Sequence, residues 1–300
     1  MEFKINIQKF DTWQGCDIYM LREDLLPLAC GGNKVRIACK LIDDAKRKGA
    51  TAIVGYGNSR SNLCRVLSML CAASCLKCVI VSPSDEDGSV VETTNSKIVE
   101  CCGARVVKCN KNSNIEAVIR GVLEDLRMNG EQPYYIFGTA LGIGNERVLT
   151  SAYEEVAKGI MGWEADHGIC FDQIALAVGT GSTYAGILNG LRDAGRNTHI
   201  VGYTIARELG RCISALGTYT SYPVCISDSA INGGYGQTSP EEDAFLLEVL
   251  CKKAVLLDST YAGKALWGLK KDFKSDMGTT LFIHTGSLPL AIDGLHRSKK

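Results

Sequence analysis

Apolar positions along this chain follow two periods, and the switches between them outline its elements. MEFKINIQKFDTWQ alternates polar and apolar residues, the period of a strand with one solvated face, and CDIYML (16–21) is a second strand. From residue 33, NKVRIACKLIDDAKRKG repeats apolar residues at helical spacing and ends on glycine. TAIVGYG (51–57) is a strand, SNLCRVLSMLCAAS a helix, KCVIVSP a strand, TTNSKIVECCG a helix and ARVVKC a strand. NIEAVIRGVLEDLRMNG is a helix, PYYIFG a short strand and RVLTSAYEEVAKGIMG a helix that ends at its glycine. The fully apolar strand DQIALAVG then precedes the helix TYAGILNGLRDAG, and HIVGYTIA is the next strand. Two helices, PEEDAFLLEVLCKKA and AGKALWGLKKDFKS, lead to the last strand, TTLFIHTG.

Short apolar strands alternating with helices predict an α/β fold of parallel sheets with helices on both faces. The spacing is irregular, which excludes a repeat protein. The stretch 49–154 holds a self-contained set of strands and helices. The expected organisation is therefore an inserted small α/β domain at 49–154 within a larger domain formed by 1–48 and 155–300, with a ligand cleft between the two.

Composition narrows the function classes. Lys+Arg and Asp+Glu both number 33, so no net field favours nucleic acid or an anionic membrane. No apolar run reaches the roughly 18 residues of a membrane span, and the strand-like start is no export signal, so the cytoplasm is the expected location. Fourteen cysteines lie largely inside apolar runs, where a free thiol packs as a small hydrophobe. Cys71, Cys75 and Cys78 have metal-like spacing but span a helix and the next strand, so no metal site is expected.

In open parallel sheets, ligands bind in the turns that leave the carboxyl ends of strands. Four such turns stand out. GTGSTYAG (179–186) places glycines and two hydroxyls where a helix begins, which suits an anion, while departing from both the P-loop and the dinucleotide fingerprint. GYGNSRSNLCR offers Ser61 and Asn62, as helix cap or ligand contact, and HTGSLP offers Thr285. CGGNKVRIACK aims Lys34 through a doubly flexible glycine turn. A lysine in a desolvated cleft has a lowered pKa and forms a Schiff base with an aldehyde, and the anion cradle would hold a phosphate. Pyridoxal 5'-phosphate carries both groups.

REDLLPLACGGNKVR, RSNLCR, GTGSTYAG, DSTYAGKALWGL and HTGSLP, in that order, resemble the blocks of the D-cysteine desulfhydrase and 1-aminocyclopropane-1-carboxylate deaminase family. The resemblance runs from about residue 17 to 292. It implies pyridoxal phosphate as cofactor, the tryptophan synthase β-like architecture (fold type II) and a homodimer. By resemblance Lys34 forms the Schiff base and later moves the Cα proton, and Asn62 bonds the cofactor's ring hydroxyl. Ser61 contacts substrate, and Gly179, Thr180, Gly181, Ser182 and Thr183 form the phosphate loop. Tyr235 and Tyr261 line the substrate pocket, and Thr285 lies near the pyridine nitrogen. Residue 262 is alanine, where the deaminase carries an acid and the desulfhydrase a threonine. Leu63 replaces a glutamine of the deaminase. Both departures place cyclopropane opening below α,β-elimination on a small amino acid such as D-cysteine. A hydroxyl at the pyridine nitrogen favours the same reaction. β-Replacement, racemisation and cofactor binding without catalysis are the other readings this set of residues admits.

Overall fold

The computed structural model describes residues 3–84, 91–205, 207–231 and 236–297. Their elements form two sheets, each within its own compact unit. One unit comprises Met1–Asn33 with Thr150–Lys300, and the other is the inserted stretch Lys34–Leu149. The inserted unit thus starts earlier in the chain than the 49–154 expected from sequence, because the first helix groups with it.

The flanking unit is built on strands β1 (Ile7–Trp13), β2 (Cys16–Arg22), β7 (Gln173–Val178), β8 (His199–Thr204), β9 (Cys225–Ser227) and β10 (Thr280–His284). Their order is β1-β2-β10-β7-β8-β9. An N-terminal strand therefore lies beside the last one, β2 parallel to β10, with Ile18 opposite Thr280. All pairings are parallel except β1 with β2, a hairpin in which Gln14 and Gly15 take positive φ. Every residue of β7 and β10 is buried, as expected for strands covered on both faces. Ile18, Met20, Phe282, Tyr203, Leu266 and Leu269 are among the side chains of the core on one face.

Helices α5 (Glu146–His167), α6 (Ser182–Asp193), α7 (Leu209–Leu216), α8 (Pro240–Lys253), α9 (Ala262–Asp272) and α10 (Leu288–Arg297) accompany this sheet. Among them α7, α10 and the short β9 are elements that the hydrophobic pattern did not announce. Helix α5 also runs past the glycine read as its stop.

The inserted unit carries β3 (Ala52–Tyr56), β4 (Lys77–Pro83), β5 (Arg105–Cys109) and β6 (Pro133–Tyr135) in the order β5-β4-β3-β6, all parallel. Its helices are α1 (Asn33–Arg47), α2 (Asn62–Ala73), α3 (Thr94–Cys101) and α4 (Ile115–Met128). Four of the fourteen cysteines are buried, including Cys71 and Cys78, whereas Cys75 and five others are exposed. No helix among the described residues is long and apolar enough to cross a membrane.

Candidate active site

The approach to Lys34 is strained backbone. Ala29, Cys30, Gly31 and Gly32 take positive φ in succession, at 47°, 59°, 66° and 96°. A non-glycine residue in this region costs on the order of 1 kcal/mol or more, so surrounding contacts must hold Ala29 and Cys30 there. They are visible. The Gly32 N–H donates to the Glu23 carbonyl at 2.8 Å, and the Asn33 N–H donates to the Thr285 carbonyl at 2.9 Å. Glu23 is buried, and its carboxylate accepts from the Tyr153 hydroxyl at 2.7 Å. Glycine is required twice at this point. A Cβ on Gly31 would overlap the Asp24 carbonyl, and one on Gly286 would overlap Gly32. The facing loop is itself strained, with Gly286 and Ser287 at positive φ.

The phosphate-loop candidates follow β7. Gly181 is the left-handed N-cap of α6, and no side chain caps that helix. The first N–H groups of α6 thus begin a twelve-residue helix at its positive end. Ser182 and Thr183 are buried, whereas Thr180 is exposed. Asn33 Nδ2 donates to Thr183 Oγ1 at 2.9 Å. This bond ties the residue immediately before Lys34 to the start of α6.

On the other side of the same loop stands Tyr261, whose ring carbon lies 3.7 Å from where a Gly179 Cβ would be. Asp258 holds it there. Its carboxylate is fully buried and accepts from the backbone N–H of Thr260 (3.0 Å), Tyr261 (2.7 Å) and Ala262 (3.0 Å). Burial raises the Asp258 carboxyl to about 7, against the pull of these donors. Ala262 is fully buried and contributes only a methyl group. Thr285 is buried beside the Gly32 turn. His284 is occupied structurally: its Nδ1 accepts from the Gly286 N–H and its Nε2 faces the Leu256 carbonyl. With Nδ1 accepting, the ring is neutral with its proton on Nε2, and burial holds its pKa below the usual histidine value.

Lys34, Ser61 and Asn62 belong to the inserted unit. Lys34 is the second residue of α1, and desolvation alone lowers its amine to about 8. Ser61 is the N-cap of α2, its Oγ accepting from the Cys64 N–H at 3.2 Å. Asn62 opens that helix, and its Oδ1 accepts from Asn95 Nδ2 at 3.0 Å, which fixes which end of the amide is oxygen. Asn95 Nδ2 also donates to the Arg60 carbonyl (3.1 Å), and Thr93 Oγ1 donates to the Ser59 carbonyl (2.6 Å). The start of α3 thus tethers the 59–62 turn. A cavity of about 190 Å³ opens in this unit, lined in part by Ser59, Ser61, Cys64, Ser82 and Ser96. The Cys64 thiol, pushed up to about 12 by burial, is no nucleophile there.

Of the residues singled out from sequence, Lys34, Asn62, Ser182 and Thr183 lie in the first turns of helices, Ser61, Gly181 and Tyr261 are N-caps, and Thr285 follows β10. Sequence reading missed Asn95 and Thr93, whose partners lie more than thirty residues away, and Asp258, which acts on the backbone N–H groups of the next few residues. Tyr235 lies outside the described residues.

A pyridoxal phosphate fits these groups. It needs an anion site built of bare N–H groups, an amine of lowered pKa and an oriented amide for its ring hydroxyl. The start of α6, Lys34 and Asn62 have those chemistries.

Comparison with known proteins agrees. The family of pyridoxal-phosphate dependent enzymes matches residues 5–286, and the chain belongs to it. D-cysteine desulfhydrase of Serratia proteamaculans is 27% identical over 94% of this chain and 90% of its own length. The desulfhydrase of Yersinia enterocolitica is 28% identical over the same shares. Among solved structures, an ACC deaminase homologue superposes with a TM-score of 0.81 at 24% identity, covering 99% of this chain and 94% of that one. A hydrogen sulfide-producing enzyme from Fusobacterium nucleatum gives 0.63 at 18% identity, covering 94% of each chain. The fold is the fold type II architecture of pyridoxal-phosphate enzymes.

Proposed function

We propose that this protein is a lyase that converts D-cysteine and water to pyruvate, ammonia and hydrogen sulfide, or acts likewise on a closely similar small amino acid with release of its own β-substituent. The geometry that carries the reading is the Asn33–Thr183 hydrogen bond, which holds the residue before Lys34 at an uncapped helix start. The desulfhydrase relatives over 94% of the chain support the substrate class.

When bound, pyridoxal phosphate supplies the electron sink that makes the substrate Cα–H bond acidic. The N–H groups at the start of α6, with Ser182 and Thr183, would hold its phosphate, and Asn62 would orient its ring. Lys34 Nζ is the covalent attachment point. The same amine would take the proton from the substrate Cα. An amine poised near 8 is partly neutral at physiological pH, as a base requires. Ser61 holds the substrate, and the Tyr261 hydroxyl protonates the departing sulfur. Thr285 would offer the cofactor's ring nitrogen a hydroxyl rather than a carboxylate.

The same reading makes the protein a cytoplasmic homodimer. Leu288, Ile292 and Leu295 of α10 are exposed at helical spacing and would be covered by a second copy. Light scattering at the mass of two chains supports this, and a monomer removes it. The functional test is a panel of D- and L-amino acids scored for pyruvate, sulfide and exchange of the Cα hydrogen with deuterium. Pyruvate and sulfide from D-cysteine alone support the assignment. Turnover only with an added nucleophile would indicate a β-replacement enzyme instead, and exchange without pyruvate a racemase.

A further inference from the structure

We propose that Asp258 is the positioning residue for Tyr261, a role that rests on the assignment of Tyr261 to the active site. Three consecutive N–H groups, of Thr260, Tyr261 and Ala262, converge on one carboxylate, at 3.0, 2.7 and 3.0 Å. Two share Oδ2 and the third takes Oδ1, so both oxygens are needed. The Asp258 carbonyl accepts in addition from the Gly263 N–H at 2.9 Å. The turn 258–263 is thereby closed on a single side chain, and α9 starts from it. Tyr261 has non-helical φ and ψ of −123° and −84° and no side-chain cap of its own. Its backbone direction, and hence the direction of its ring toward Gly179, depends on the Asp258 contacts. Asparagine at 258 offers one oxygen and places an NH2 donor against the remaining N–H, so it keeps the volume and breaks the three-way closure.

Two measurements test this. In cofactor-free protein, the amides of Thr260, Tyr261 and Ala262 are expected to be protected from hydrogen exchange. Asp258→Asn should remove that protection while leaving the β7 amides slow. Unchanged protection at 260–262 overturns the proposal, as does equal loss throughout the flanking unit. In the loaded enzyme, Asp258→Asn should lower kcat/KM by about a hundredfold, the scale of a misplaced group near the reacting atoms. Tyr261→Phe should add almost nothing on top of it. Independent, multiplying losses would mean that Asp258 does not act through Tyr261. Where Asp258→Asn fails to fold, Asp258→Glu takes its place. It keeps the charge but shifts the reach, and is expected to give the same local exchange and the same non-additivity. Wild-type protein that retains the cofactor yet leaves D-cysteine intact sinks the substrate assignment alone. The exchange experiment still decides for or against Asp258.

Discussion

Helices α2 and α6 both start in a turn that leaves a parallel strand, yet the two starts are built in opposite ways. At α2 a side chain does the capping: Ser61 accepts from the Cys64 N–H, while Asn95 and Thr93 hold the preceding turn. At α6 the N-cap is a glycine with φ of 103°, and no side chain serves the first N–H groups. Capping is worth about 1 kcal/mol, so a helix that forgoes it loses stability unless something else meets those donors. The cofactor of the family carries a phosphate that would meet those donors. The difference separates a turn that orients side chains from a turn that presents backbone.

The comparison can be broken at several points. Lys34→Ala should have the largest effect, a loss of turnover on the order of 10³-fold with the circular dichroism spectrum retained. Gly181→Ala comes next. Its Cβ would lie 2.6 Å from Leu216 Cδ2 at a backbone conformation costing about 1–3 kcal/mol, so both melting temperature and cofactor affinity should fall. Ser61→Ala removes the α2 cap, at about 1 kcal/mol, together with the proposed substrate contact, and should lower the melting temperature and raise KM while leaving cofactor affinity nearly unchanged. Equal effects of the last two variants on cofactor affinity would erase the distinction drawn between the turns.

The smallest expected effect is a pH slope. Lys34 has a folded pKa of about 8, below its ordinary value of 10.5, so the unfolded chain binds more protons between those values. Stability of the cofactor-free protein should therefore rise with pH across that window relative to Lys34→Met. Reactivity of the Lys34 amine toward an acylating reagent should rise through about 8 as well, read by mass spectrometry of the labelled peptide.

Much of this arrangement is legible in the sequence because glycine and hydrophobic period are local signals. The all-apolar β7 and β10, the helical spacing of α1 and α4, and the glycine turns before Lys34 and α6 each announce themselves within a few residues. Elements with weaker signals escaped. Helix α7 has only eight residues, β9 has three, and α5 continues through glycines that read as a stop. Left-handed Ala29 and Cys30 could not be read either, since neither residue type favours that conformation and only the contacts around 23–33 impose it. Asn95 looks like an ordinary polar residue until the fold brings the 60–62 turn to it, whereas Asp258 caps its own turn, a local signal that the hydrophobic period does not carry.

The central claim is that Lys34 carries the cofactor, and borohydride reduction of the cofactor-loaded protein tests it most directly. Peptide mapping after reduction should find the pyridoxyl-phosphate mass on the segment containing Lys34, with addition of D-cysteine before reduction displacing it. A label on another lysine such as Lys264, or none on a protein that has bound the cofactor, would contradict the account.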